Sequence, residues 1–135
     1  MNVNQKGNLT ELSVMLEAIK KGYTVSIPYG DCDRYDQIWD DGHSLFKVQV
    51  KTARWKDDRK MGIVFNCYSV SNGKKHKYSA KEIDYFATFW DNKCYLVPIS
   101  ECSCEKTLWF ELSPYNYSNS CMAKDYELQE VKRDI

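Results

Sequence analysis

The run Arg34-Tyr35-Asp36-Gln37-Ile38-Trp39, then Asp40-Asp41-Gly42-His43, then Leu45-Phe46-Lys47-Val48-Gln49-Val50-Lys51, reads as a β-hairpin. Asp-Gly between two β-rich runs is a strong short-range hairpin signal. A turn centred on Asp41 and Gly42 pairs position 36 with 47 and position 34 with 49. Phe46, Val48 and Val50 alternate with Lys47, Gln49 and Lys51, so Asp36, Gln49 and Lys51 are expected on the side away from the apolar stripe. In that register Gln49 is the diagonal neighbour of Asp36, roughly 7 to 8 Å away between backbones, close enough for two side-chain oxygens to hold one cation. An amphipathic hairpin with a wet polar face carries the same alternation, so the hairpin alone leaves both readings open.

Around this hairpin, 135 residues suit a single domain, 1–135, large enough to bury a core without disulfide staples. Hydrophobic residues make up 43% and aromatics 14%, which excludes a disordered chain. No apolar run approaches the roughly 18 residues that span a bilayer. Met1-Asn2-Val3-Asn4 has no basic-then-apolar leader, so the chain is expected to stay in the cytoplasm where it is made. The triplets Asn8-Leu9-Thr10 and Asn116-Tyr117-Ser118 are then chance matches to a glycosylation signal. The six cysteines lack the paired spacing of a zinc site and are expected as reduced thiols. The 19 basic and 19 acidic side chains cancel, yet Lys51, Arg54, Lys56, Arg59 and Lys60 cluster, as do Lys74, Lys75 and Lys77. Such clusters neutralise phosphates or are merely solvated.

Leu9, Leu12, Leu16 and Ile19 recur at helical spacing and Gly22 stops the helix. Asn8 and Glu11 form a capping box, which is the plain explanation of Glu11; the alternative is that Glu11 leans from the first helical turn toward Asp36. Strands are expected at 23–28, 62–70, 94–98 and 107–112, with Asn72-Gly73 turning the second into Lys77-Tyr78. Asp31 and Asp33 read as turn makers. Ser79 and Glu82 form another capping box, predicting a short helix through Ile83 and Phe86. A loop follows at 114–120, and a last short helix is expected over 123–131.

The order of Lys6-Gly7, Glu11, Pro28, Gly30-Asp31, Arg34-Tyr35-Asp36 and Gln49-Val50-Lys51 resembles the PD-(D/E)xK nuclease superfamily, in its group I intron-encoded homing endonuclease branch. Tyr78, Ile83-Asp84-Tyr85-Phe86-Ala87 and Tyr95-Leu96-Val97-Pro98 extend the likeness, which covers most of residues 6 to 100. It implies an α/β restriction-endonuclease-like core, a central mixed β-sheet flanked by helices, with a β-hairpin extension. It also implies a metal-dependent endonuclease that hydrolyses phosphodiesters in a long double-stranded DNA site, in a prokaryotic cell and at the nucleoid when DNA-bound. Glu11, Asp36, Gln49 and Lys51 would be catalytic; Mg²⁺ (or Mn²⁺) would be held by Asp36, Gln49, the Val50 carbonyl and Glu11. Gln49 replaces the superfamily's usual second acid, a weaker ligand for a hard cation. Lys51 would orient the attacking water and offset phosphate charge. DNA would meet Arg54, Lys56, Arg59, Lys74, Lys75 and Lys77, and two or four copies would act together. A Holliday-junction resolvase and a non-catalytic nucleic-acid-binding module are the alternatives.

Overall fold

Asn2 and Gln5 exchange backbone-to-side-chain hydrogen bonds of 2.9 Å and so launch helix α1, Val3–Lys20, with its cap six residues before the expected one at Asn8. The computed structural model describes residues 1–30, 32–111 and 121–133. Because α1 starts at Asn2, Asn8 lies inside the helix and the Asn8–Glu11 capping box does not exist. Gly22, at φ +100, ends the helix where expected and donates its N–H to the Ile19 carbonyl.

The central sheet runs β1 (Thr24–Ser26), β2 (Gln37–Asp40), β3 (Leu45–Val50), β8 (Tyr85–Trp90), β9 (Lys93–Pro98), with only β3 and β8 parallel. Helix α1 covers one face, where Val14 and Ala18 pack on Trp39, Val48, Val50 and Ala87. A second sheet of β10 (Glu105–Trp109), β5 (Gly62–Asn66) and β4 (Arg54–Trp55) covers the other, packing Ile63, Phe65 and Leu108 on Phe86 and Val97. The mixed α/β core with its central mixed sheet is therefore as expected. Its flanks are not, for among the described residues one α-helix lies on one side and strands on the other. Gly62 is required there: a Cβ would sit 2.6 Å from the Trp109 ring.

Three local expectations are corrected. The predicted helix after Ser79 is a single turn: Glu82 does cap the Ser79 N–H at 2.9 Å, but the alternating aromatic run Tyr85–Trp90 then enters the sheet as β8. The tail holds a 3₁₀ turn, Ala123–Tyr126, in place of a helix over 123–131. The hairpin register differs by two: Gln37 pairs with Val48 and Asp40 with Leu45. Asp41 accepts the N–H groups of His43 and Ser44 at 2.7 Å and Asp40 that of Gly42, so the loop is Asp41–Ser44 and not a two-residue turn.

The strand expected at 62–70 divides at Cys67 into β5 and β6 (Tyr68–Ser71), where the chain leaves the second sheet to form a hairpin with β7 (Lys74–Lys77). Asn72 and Gly73 both have positive φ, and Ser71 pairs with Lys74, so this turn is the two-residue kind its sequence predicts. The remaining strands lie within three residues of their expected positions. Asp31 and the loop at 114–120 lie outside the described residues.

Candidate active site

Asp36 sits where β2 begins, at the end of the regular ladder. Its N–H donates to the Val48 carbonyl at 2.9 Å, and its Oδ2 accepts the Val50 N–H at 3.0 Å. The shifted register thus brings Asp36 beside Gln49 and Val50. Glu11 reaches it from α1, and the two carboxyl groups share a hydrogen bond. Burial, followed by the like charge of Asp36 and this shared proton, pushes Glu11 up to about 7. Asp36 is also raised, chiefly by burial; the Val50 N–H, the Glu11 bond and the positive charge of Lys51 pull against that rise. Both carboxyls therefore hold a proton more readily than free ones, the usual consequence when two carboxylates share one site.

The pair opens into a cleft of about 360 Å³ lined by Val3, Asn4, Gly7, Asn8, Val50 and Thr52. A second cleft of about 350 Å³ adjoins it along α1, sharing Asn8 and the two carboxyls and running past Leu12, Met15 and Ile27. Gln37, fully buried, fixes the helix above the site: its Nε2 donates to the Glu11 carbonyl at 2.9 Å, and its Oε1 accepts Trp39 Nε1–H at 2.9 Å. The only sequence signal for this role is a lone amide on the apolar side of a strand.

Gln49 and Lys51 lie across the strand from Val50. Gln49 is half-buried and pairs with Phe86 on β8. The Lys51 Nζ donates to the Tyr68 carbonyl at 2.9 Å and stands 5.0 Å from the centre of the Tyr78 ring. The face expected to be wet is thus covered by the second sheet and the base of the β6–β7 hairpin. Among the described residues no three His, Cys, Asp or Glu side chains converge as a metal cluster. Two carboxylates at an open cleft nevertheless suit a hard divalent cation that keeps most of its waters and takes one or two carboxylates.

The basic residues fall into two places. Lys74, Lys75 and Lys77 are exposed along β7, with Lys75 Nζ 4.6 Å from the Tyr68 ring centre. Arg54 is on β4, paired with Glu105 at 3.7 Å, Lys56 follows it, exposed, and Arg59 grips Asp57 at 2.6 Å. The residue that sequence reasoning missed is Arg34. Its guanidinium donates to the Lys77 and His76 carbonyls at 3.1 Å and to Ser69 Oγ at 2.9 Å, pairs with Glu82 at 3.2 Å, and lies 4.0 Å above the Tyr78 ring. It ties the basic hairpin to the strand that carries Asp36.

A family model described as PD-(D/E)XK endonuclease matches residues 1–129. Among solved structures, the bacterial homing endonuclease I-Ssp6803I superimposes with a TM-score of 0.75 over 94% of this chain and 89% of its own, at 19% identity. At that identity the likeness is one of fold. No curated protein sequence matches. Among the described residues no helix is long and apolar enough to cross a membrane.

Proposed function

The chain belongs to the PD-(D/E)XK endonuclease family, and from that premise we propose that it is an intron-encoded homing endonuclease that cuts long double-stranded DNA sites with Mg²⁺ or Mn²⁺. The observation that carries this is the meeting of Glu11 and Asp36 at one open cleft, with the Val50 N–H donating to Asp36 at 3.0 Å and the Lys51 charge acting on the same carboxyl. Glu11 and Asp36 would be the cation's carboxylate ligands, with the Val50 carbonyl beside them, whereas Gln49, across the strand, does not line the cleft. The bound cation would supply Lewis acidity at the phosphoryl oxygens and an acidified water. Asp36 is oriented by its backbone hydrogen bond, and Glu11 is held in place by Gln37. Lys51 neutralises charge at the phosphate and orients the attacking water. Lys74, Lys75 and Lys77 reach the DNA backbone from a two-stranded ribbon of a width that fits the major groove. Arg54, Lys56 and Arg59 are a separate, outer contact. Breaking both strands takes two active sites, hence two or more copies, acting in the cytoplasm on nucleoid DNA.

The test is to incubate the purified protein with linear duplex, four-way junction and RNA, with and without Mg²⁺. Cation-dependent cutting of duplex at discrete sites is expected. Cutting confined to junctions would make it a resolvase, and no cutting of any substrate would leave a binding module.

A further inference from the structure

The helix stripe that announces α1 in the sequence does not face the core. Leu9, Leu12, Leu16 and Ile19 are 52%, 60%, 55% and 52% exposed, while Val14 and Ala18, on another face, are fully buried. The stripe advances by three, four and three residues, the a and d positions of a heptad, which is the spacing of a narrow helix-to-helix seam and not of a broad core-facing stripe. Asn8, Ser13 and Met15 flank it, so it is free of charge until Lys20. Ile27, 58% exposed, lies across the cleft that Leu12 and Met15 line together with the Glu11 and Asp36 carboxyls, so the uncharged part of the face is the helix stripe itself.

We propose that this face of α1 is the interface with a second copy of the chain, paired across a twofold axis. A neutral a/d seam is complementary to another such seam, and the second copy supplies one identical by symmetry. The exposed parts of Leu9, Leu12, Leu16, Ile19 and Ile27 amount to roughly 500 Å² per copy, so a pair that covered them fully would bury about 1,000 Å², the area at which a biological interface begins. The pairing closes the cleft at Ile27 and leaves the one at Gly7 and Thr52 open. Since Glu11 immediately precedes Leu12, it also sets one carboxylate pair on each side of the seam, which is how two strands of one duplex would be served. The interface stands on the exposed seam alone; this last consequence rests on the nuclease reading.

Light scattering on the full chain at micromolar concentration should give a multiple of 15.9 kDa for the wild type and 15.9 kDa for Leu12→Glu/Leu16→Glu. The wild-type Tm should rise with protein concentration, as for any folded oligomer. A wild-type mass of 15.9 kDa with a concentration-independent Tm, or a double variant that folds by circular dichroism and keeps the wild-type mass, overturns the proposal. On supercoiled plasmid, the variant should still nick but linearise at least tenfold less than the wild type. A wild-type dimer that cuts nothing, with a monomeric variant, upholds the interface and sinks the nuclease reading.

Discussion

The carboxylate corner and the β6–β7 hairpin are built in opposite ways. Asp36 and Glu11 stand on a strand and a helix whose backbones are pinned by core packing, by the buried Gln37 and by the Val50 N–H. The hairpin contributes no residue to either set of fully buried core side chains; it is attached through the Arg34 clamp and the Lys51–Tyr68 bond. On the nuclease reading the difference is a division of labour. Bond-breaking groups need fixed positions against one another, whereas groups that track a phosphate backbone gain from adapting to it. Lys51 joins the two regions, since it acts electrostatically on Asp36 and is held by the hairpin's base.

If the corner holds the chemistry, Asp36→Asn and Lys51→Ala should each lower cleavage more than about a hundredfold, the scale of losing one transition-state group. Gel-shift affinity for duplex should stay within a few-fold of wild type. A binding loss as large as the cleavage loss would erase the distinction between the regions.

Glu11→Gln should follow, with cleavage down about a hundredfold and partly recovered by more Mg²⁺. It also has a readout free of activity. Glu11 and Asp36 both hold their protons longer folded than unfolded, so the fold is favoured below the ordinary carboxylate value of 4.5 and loses stability as pH rises toward about 7. Glu11 is half-buried and screened by solvent, so the expected Tm loss in EDTA over that window is modest, roughly 5 °C. Mg²⁺ at pH 7 should restore it in wild type. In Glu11→Gln both the pH slope and the Mg²⁺ response should shrink; thermal melts that match wild type under all these conditions would remove Glu11 from the site.

Replacing Lys74, Lys75 and Lys77 together with Ala should weaken binding to every duplex and flatten log affinity against log salt by about 0.9 for each phosphate that is no longer neutralised. Fold stability should be unchanged, because β7 is exposed along its length. An unaltered salt slope would make the hairpin a solvated appendage.

The smallest effect on cleavage is expected for Arg34→Met, which removes the clamp and leaves the corner standing. Amide exchange should quicken at Tyr68–Ser71 and Lys74–Lys77 while the Trp39 and Val48 amides keep their protection. Cleavage should fall only a few-fold. Uniform loss of protection would mean that hairpin and corner are one cooperative unit.

Much of this site is legible in the sequence. Glu11, Asp36, Val50 and Lys51 stand out as candidates because the motifs occur in order, and the Asn72-Gly73 turn is readable because its signal is local. Gln49 and the six basic residues are readable as types, not as partners. Other matters are not settled locally. Asp41-Gly42 permits a two-residue turn, but Asp40 and Asp41 carboxylates solvate the loop's N–H groups and lengthen it, which moves the register by two. Tyr85–Trp90 is ambiguous because a capping box precedes it, and a vacant place beside β3 makes it a strand. The role of Arg34 depends on backbone carbonyls more than forty positions away. The helical spacing of Leu9, Leu12, Leu16 and Ile19 determined that a helix forms there; which face it buries was decided by Val14 and Ala18, small enough to let α1 lie close on the sheet, and that choice leaves the leucines outside.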